Sequence, residues 1–136
     1  MNVIPIKASA GLNGFESPAA EYQQLKLSLD EILVSKPSCT WLGVASGDSM
    51  VGSGIYDGDL LIIDRSEAVE EGDVIVCNLN GEFAVKQISI KNRQLISTNP
   101  NVKPVSISET DTFSNEGVVT YSIRVHKKNK LQGSIG

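Results

Sequence analysis

The stretch Val74-Ile75-Val76-Cys77-Asn78-Leu79-Asn80-Gly81-Glu82-Phe83-Ala84-Val85-Lys86 decides the fold of this chain. Val74 to Cys77 is dense in β-branched side chains, which suit a buried, pleated strand. Asn80-Gly81 predicts a type I′ hairpin, because both central residues of that turn need positive φ. The chain returns along Phe83, Val85, Ile88 and Ile90. Two strands joined by a two-residue turn run antiparallel. Downstream, Lys91-Asn92-Arg93 reads as a second turn, Gln94 to Ser97 as a further strand and Asn99-Pro100-Asn101 as another turn. Val102 to Ile107 and Gly117 to Val125 supply the last strands. Upstream, Leu60 to Ile63 is a buried strand, Glu67 to Gly72 a polar connection, and Trp41 to Ala45 a short strand. Strands this short, with turns every eight to twelve residues, predict a mostly-β domain of antiparallel strands.

One short helix precedes the strands. Ser28-Leu29-Asp30-Glu31 reads as a capping box, with Leu29, Ile32 and Leu33 on one face and Pro37 as the stop. Before it, residues 1–27 carry Gly11, Gly14 and Ser17-Pro18, which break any regular period. The apolar Val3, Ile4, Ile6, Leu12 and Phe15 suit this flexible N-terminal arm to capture in a groove. The expected division is therefore an arm and linker over 1–27 and a β domain over 28–136. Trp41 and Phe83 are expected in its core.

A chain of 136 residues suggests one compact domain plus some tail. Such a domain needs neither disulfide nor metal to fold. The two cysteines, Cys39 and Cys77, form no CxxC and no Cys/His cluster, so they read as buried small apolar residues without zinc. The net charge of −4 argues against a domain that grips nucleic-acid phosphates directly. Lys127-Lys128 with Lys130 is the only basic cluster, and His126 beside it reads as a surface residue. No apolar run is long enough to cross a bilayer, and the first residues do not read as a signal peptide. A cytoplasmic protein is expected.

The chemistry gathers around Ala45-Ser46-Gly47-Asp48-Ser49-Met50. Gly47 permits close backbone approach, and small neighbours leave the Ser49 hydroxyl accessible. Backbone N–H groups at Asp48 and Ser49 are placed to face a developing oxyanion. A serine needs a base to become a nucleophile, and the single histidine, His126, is poorly placed to be one. Lys86 is the other candidate. Strand alternation puts it on one face with Ala84, Ile88 and Ile90, where partial desolvation disfavours the ammonium. Each signal alone also fits something plainer: a polar turn at Ser49, and an edge-strand lysine at position 86. Asp57 and Asp59 flank Gly58 and read as shaping a turn, with no further carboxylates at metal-ligand spacing.

Taken in order, Gly14-Phe15-Glu16-Ser17-Pro18-Ala19-Ala20-Glu21-Tyr22, Ala45 to Met50, Asp57-Gly58-Asp59-Leu60-Leu61-Ile62, Asp73-Val74-Ile75 and Asn80 to Lys86 resemble the LexA/UmuD self-cleaving serine peptidases. The likeness is strongest to UmuD-like proteins of SOS mutagenesis and runs from about residue 13 to residue 125. It implies a LexA/signal-peptidase-like β domain with Ser49 as nucleophile and Lys86 as general base. The amides of Asp48 and Ser49 would form the oxyanion hole, and no cofactor or metal would be needed. The substrate would be the chain's own arm. Alignment on the Gly-Phe-x-Ser-Pro-Ala run puts the cut at Asn13-Gly14, with Ala10-Gly11 as the alternative. Asparagine departs from the alanine or cysteine the family usually places before the cut, and the arm is short. A helix-turn-helix domain has no room ahead of that bond, which separates UmuD-like from LexA-like readings. The implied partners are a second copy of the chain in a homodimer, a RecA–single-stranded DNA filament as activator, and a UmuC-like Y-family translesion DNA polymerase. Neither direct nucleic-acid binding nor a membrane is implied. Three alternatives stay open: a non-cleaving dimeric module of the same fold that regulates a polymerase, a signal-peptidase-type enzyme acting on other chains, and an unrelated small β domain.

Overall fold

The computed structural model describes residues 28–127. The expected cleavable arm, with Asn13-Gly14 and Ala10-Gly11, lies outside the described residues, as do Lys128 and Lys130. The chain divides into two units, Met1–Ser35 and Lys36–Gly136.

In the first unit, helix α1 spans Leu29–Leu33. Ser28 caps it: its Oγ accepts from the Glu31 backbone N–H at 3.2 Å. The reciprocal half of the expected capping box is altered, because the Glu31 carboxylate accepts from the Ser28 hydroxyl. Pro37 does not stop this helix. α1 ends when Val34 turns extended, and Pro37 instead opens a separate 3₁₀ turn, Pro37–Cys39, at a position where a missing N–H costs nothing.

The second unit is built on one sheet of seven strands: β1 (Thr40–Val44), β2 (Leu60–Asp64), β3 (Val74–Leu79), β4 (Glu82–Ser89), β5 (Gln94–Ile96), β6 (Val105–Ser106) and β7 (Phe113–Ile123). Their order across the sheet is β1-β2-β7-β3-β4-β5-β6, and every described pairing is antiparallel. The mostly-β expectation holds. Asn80 and Gly81 take φ of 54° and 90°, as the hairpin between β3 and β4 requires.

β3 is an inner strand, and its position explains why Val74 to Cys77 is apolar without a break. Successive side chains point to opposite faces of the sheet, and both faces are covered. Val76 packs with Ala45, Met50, Ile55, Leu61 and Ile63 on one side. Ile75 and Cys77, both fully buried, pack with Ile88, Leu95 and Val118 on the other. Trp41 packs against the first cluster, and its indole N–H donates to the Glu116 carbonyl at 3.3 Å.

Several boundaries and burial expectations are corrected. β7 begins at Phe113 rather than Gly117 and ends at Ile123, and β6 is only Val105–Ser106. β7 pairs with two partners, and its register shifts against β3 between Val76 and Cys77 and against β2 between Ile62 and Ile63. Such bulges interrupt the alternation that sequence reading depends on. Phe83 is not core: it is 66% exposed near the hairpin end. Cys77 is buried as expected, but Cys39 is only half-buried at the end of its 3₁₀ turn.

Candidate active site

β1 delivers the chain into the Ser46–Met50 turn. Ala45, the last residue before it, is held on both sides by the Tyr56–Asp59 loop: its N–H donates to the Asp59 carbonyl, and its carbonyl accepts from the Gly58 N–H, each at 2.8 Å. One residue into the turn, the Gly47 N–H donates to Asp57 Oδ1 at 2.8 Å. Met50 then buries its side chain in the core, only 3% exposed. Ser49 is thus fixed between a hydrogen-bonded entry and an apolar anchor, and is itself half-buried. Among the described residues, the amides of Asp48 and Ser49 donate to no acceptor.

Asp57 and Asp59 shape this loop, as expected. The Asp59 side chain is 3% exposed and accepts from Arg124 Nε and Nη2, both at 3.0 Å, and from the Tyr56 N–H at 2.8 Å. The Arg124 guanidinium holds the Asp59 carboxyl below the usual carboxylate range, against the opposing pull of burial. The same guanidinium donates to the Gly54 carbonyl at 3.0 Å and lies 4.0 Å from the centre of the Tyr56 ring. The segment after β7 therefore pins the loop that succeeds the Ser46–Met50 turn. His126 is exposed, as expected.

Ser49 and Lys86 line one cleft of about 540 Å³. Its apolar floor comes from Ile55, Leu61, Ile63 and Val76, and the exposed Phe83 and Val44 also border it. Lys86 stands on β4 opposite Ile75 of β3 and is half-buried. Its Nζ donates not to Ser49 but to Ser97 Oγ, at 2.6 Å. Among the described residues, Ser49 Oγ makes no hydrogen bond. The two groups share the cleft without sharing a proton in this conformer. Beneath Lys86, burial pushes the Cys77 thiol up, while the lysine charge pulls it weakly the other way.

The residues missed by sequence reading are Ser97, Thr98 and Asn99, just past β5. Ser97 meets Lys86. Thr98 accepts from the Gly52 N–H at 2.6 Å through its carbonyl, and its hydroxyl lies 2.8 Å from that of Ser53. Asn99 Nδ2 donates to the Asp48 carbonyl at 3.1 Å. Three consecutive residues therefore grip both Lys86 and the segment around Ser49. What finds Ser97 is strand register, which the structure supplies and the sequence does not. β4 and β5 pair Ser89 with Gln94, Ile88 with Leu95 and Gln87 with Ile96. One further step of that register sets Ser97 across from Lys86.

Residues 2–120 match the peptidase S24-like family. Protein ImpA of Salmonella typhimurium is 35% identical over 125 residues, which cover 91% of this chain and 82% of that protein. Protein MucA of Escherichia coli is 37% identical over 115 residues, covering 83% of this chain and 79% of MucA. The LexA repressor of Syntrophotalea carbinolica is 36% identical over 84 residues, covering 60% of this chain and 42% of the repressor. The resemblance read from the ordered motifs is borne out by these matches.

Proposed function

The chain belongs to the peptidase S24-like family, and from that premise we propose that it is a self-cleaving serine peptidase that removes its own N-terminal arm at Asn13-Gly14. The observation that carries this reading is the single cleft lined by both Ser49 and Lys86, with the open amides of Asp48 and Ser49 beside the hydroxyl. Uncharged Lys86 takes the Ser49 proton as Oγ attacks the Asn13 carbonyl carbon. The tetrahedral oxyanion is held by the two amides. The lysine then returns the proton to the Gly14 nitrogen as the peptide bond breaks, leaving Asn13 esterified to Ser49. Water, deprotonated by the same lysine, releases the ester. A substrate carried on the chain, or presented by a second copy, reaches the site at high effective concentration. The lysine lone pair must be brought onto the Ser49 hydroxyl, so a partner that stabilises the arm-in-groove state accelerates cutting.

In this reading the activator is a RecA–single-stranded DNA filament, and the shortened homodimer joins a UmuC-like translesion polymerase in the cytoplasm. Support for that setting is the resemblance to UmuD-like proteins of SOS mutagenesis. Among the described residues no helix is long and apolar enough to cross a membrane.

Intact mass before and after incubation with filament, or at alkaline pH, tests the reading. Wild type should lose the mass of residues 1–13, and Ser49→Ala and Lys86→Ala should both stay whole. If wild type also stays whole under every condition, the non-cleaving module is the correct reading. A cut at Gly11 instead moves the bond without changing the chemistry.

A further inference from the structure

We propose that Ser97 is a positioning residue of the peptidase site, holding the Lys86 amine inside the cleft so that its lone pair can be aimed at Ser49. This rests on the Ser49–Lys86 dyad proposed for the site and adds a third side chain to it.

A lysine side chain has four rotatable carbon–carbon bonds and ordinarily directs its amine to water. Lys86 does not. Its Nζ reaches a hydroxyl that is itself buried, with Ser97 only 7% exposed, at a short 2.6 Å. A neutral amine has two N–H donors and one lone pair. Donating one N–H to Ser97 fixes the nitrogen and leaves the lone pair free to point elsewhere in the cleft, where the Ser49 hydroxyl is the partner the mechanism needs. A hydroxyl suits this task, since it accepts from the amine without adding a negative charge that would hold the ammonium.

Ser97 is also tied to the nucleophile through its next two residues in the chain. Thr98 O accepts from Gly52, and Asn99 donates to the Asp48 carbonyl. A Cβ on Gly52 would overlap Thr98 O, so backbone meets backbone with no room between them. Any displacement of Ser97 relative to Ser49 must deform that contact. Amine and hydroxyl are therefore referenced to one short segment, and geometry at this scale controls rate steeply.

The test compares Ser97→Ala, Ser97→Cys and Ser97→Thr in the full chain, following self-cleavage by intact mass from neutral to alkaline pH, with thermal unfolding measured alongside. Threonine keeps the hydroxyl. Cysteine keeps the size but is a weak acceptor. The expected order of rates is Ser close to Thr, with Cys and Ala both lower by about 10- to 100-fold, and with the deficit persisting at high pH. A packing role alone would place Cys beside Ser and would track the unfolding midpoint. Four results overturn the proposal: wild-type rates in Ala, faster cleavage in Ala, Thr as slow as Ala, or a deficit that vanishes at alkaline pH. Should Ser97→Ala fail to fold, the Cys-against-Thr comparison decides alone. Ser49→Ala and Lys86→Ala run in parallel. If either still cuts, the dyad reading has failed; if both are inert while Ser97→Ala behaves as wild type, only the role of Ser97 has failed.

Discussion

Lys86 can accept the Ser49 proton only as an amine, because an ammonium has no lone pair. Self-cleavage should therefore be faster in alkaline solution than at neutral pH. Rates from pH 7 to 10 check this, and a flat profile removes lysine as the base. Asp59 titrates with the opposite consequence. Its folded carboxyl is held low chiefly by the Arg124 hydrogen bonds, so folding favours its charged form. That contribution is complete above the unfolded carboxylate range, and it drains away as pH falls through that range toward the lower folded value. Asp59→Ala should cost roughly 2 kcal/mol near neutral pH, about 10 °C in unfolding midpoint, because it leaves the Arg124 guanidinium and the Tyr56 N–H without their shared acceptor. The gap between wild type and variant should narrow in acid. A gap independent of pH would assign the loss to packing.

At the scale of elements, the hairpin and the inner strand were legible because their causes are local. Asn80-Gly81 fixes a turn by its own backbone preference, and Val74 to Cys77 is apolar throughout because both faces of β3 are covered. β6 and β7 were not legible. Their limits depend on pairing with strands distant in sequence, and the bulges opposite Ile62/Ile63 and Val76/Cys77 break the alternation of inside and outside. Phe83 was misread since an aromatic bordering a cleft looks, in sequence, like one in a core. Ser49 and Lys86 were legible as chemical types, but Ser97 needed the register of β4 with β5. The 97–99 segment yields an element-scale prediction. Gly52→Ala forces a methyl against Thr98 O, a backbone atom that cannot swing aside. The segment around Ser49 and the Ser97–Asn99 segment must separate, so self-cleavage should fall by at least about tenfold. Stability should fall too, by roughly 1–3 kcal/mol of overpacking, read as a lower unfolding midpoint. Ser53→Ala, which loses only the hydroxyl beside Thr98, should leave the rate within about threefold. Equal rates for wild type and Gly52→Ala would show that the two segments need not be held together.

For the whole chain, charge decides how it can meet DNA. Non-specific affinity for a nucleic acid comes almost entirely from lysine and arginine releasing counterions at phosphates, and it grows with the number of such contacts. This chain has 12 lysines and arginines against 16 aspartates and glutamates. Of the described basic side chains near the site, Arg124 is committed to Asp59 and Lys86 to Ser97. In the proposed function, where cutting awaits a signal, this charge balance would keep the chain from being drawn to DNA beforehand. The purified chain should show no binding to a fluorescent single-stranded oligonucleotide at about 0.15 M salt up to roughly 10 μM, whole or shortened. Adding filament-forming RecA should produce cleavage without a direct contact between the chain and DNA. Fluorescence anisotropy across a salt series checks the first statement, and intact mass under the same conditions checks the second. An affinity that falls steeply with salt would reveal a phosphate-binding surface that the net charge conceals, and would make DNA itself a candidate for stabilising the arm-in-groove state.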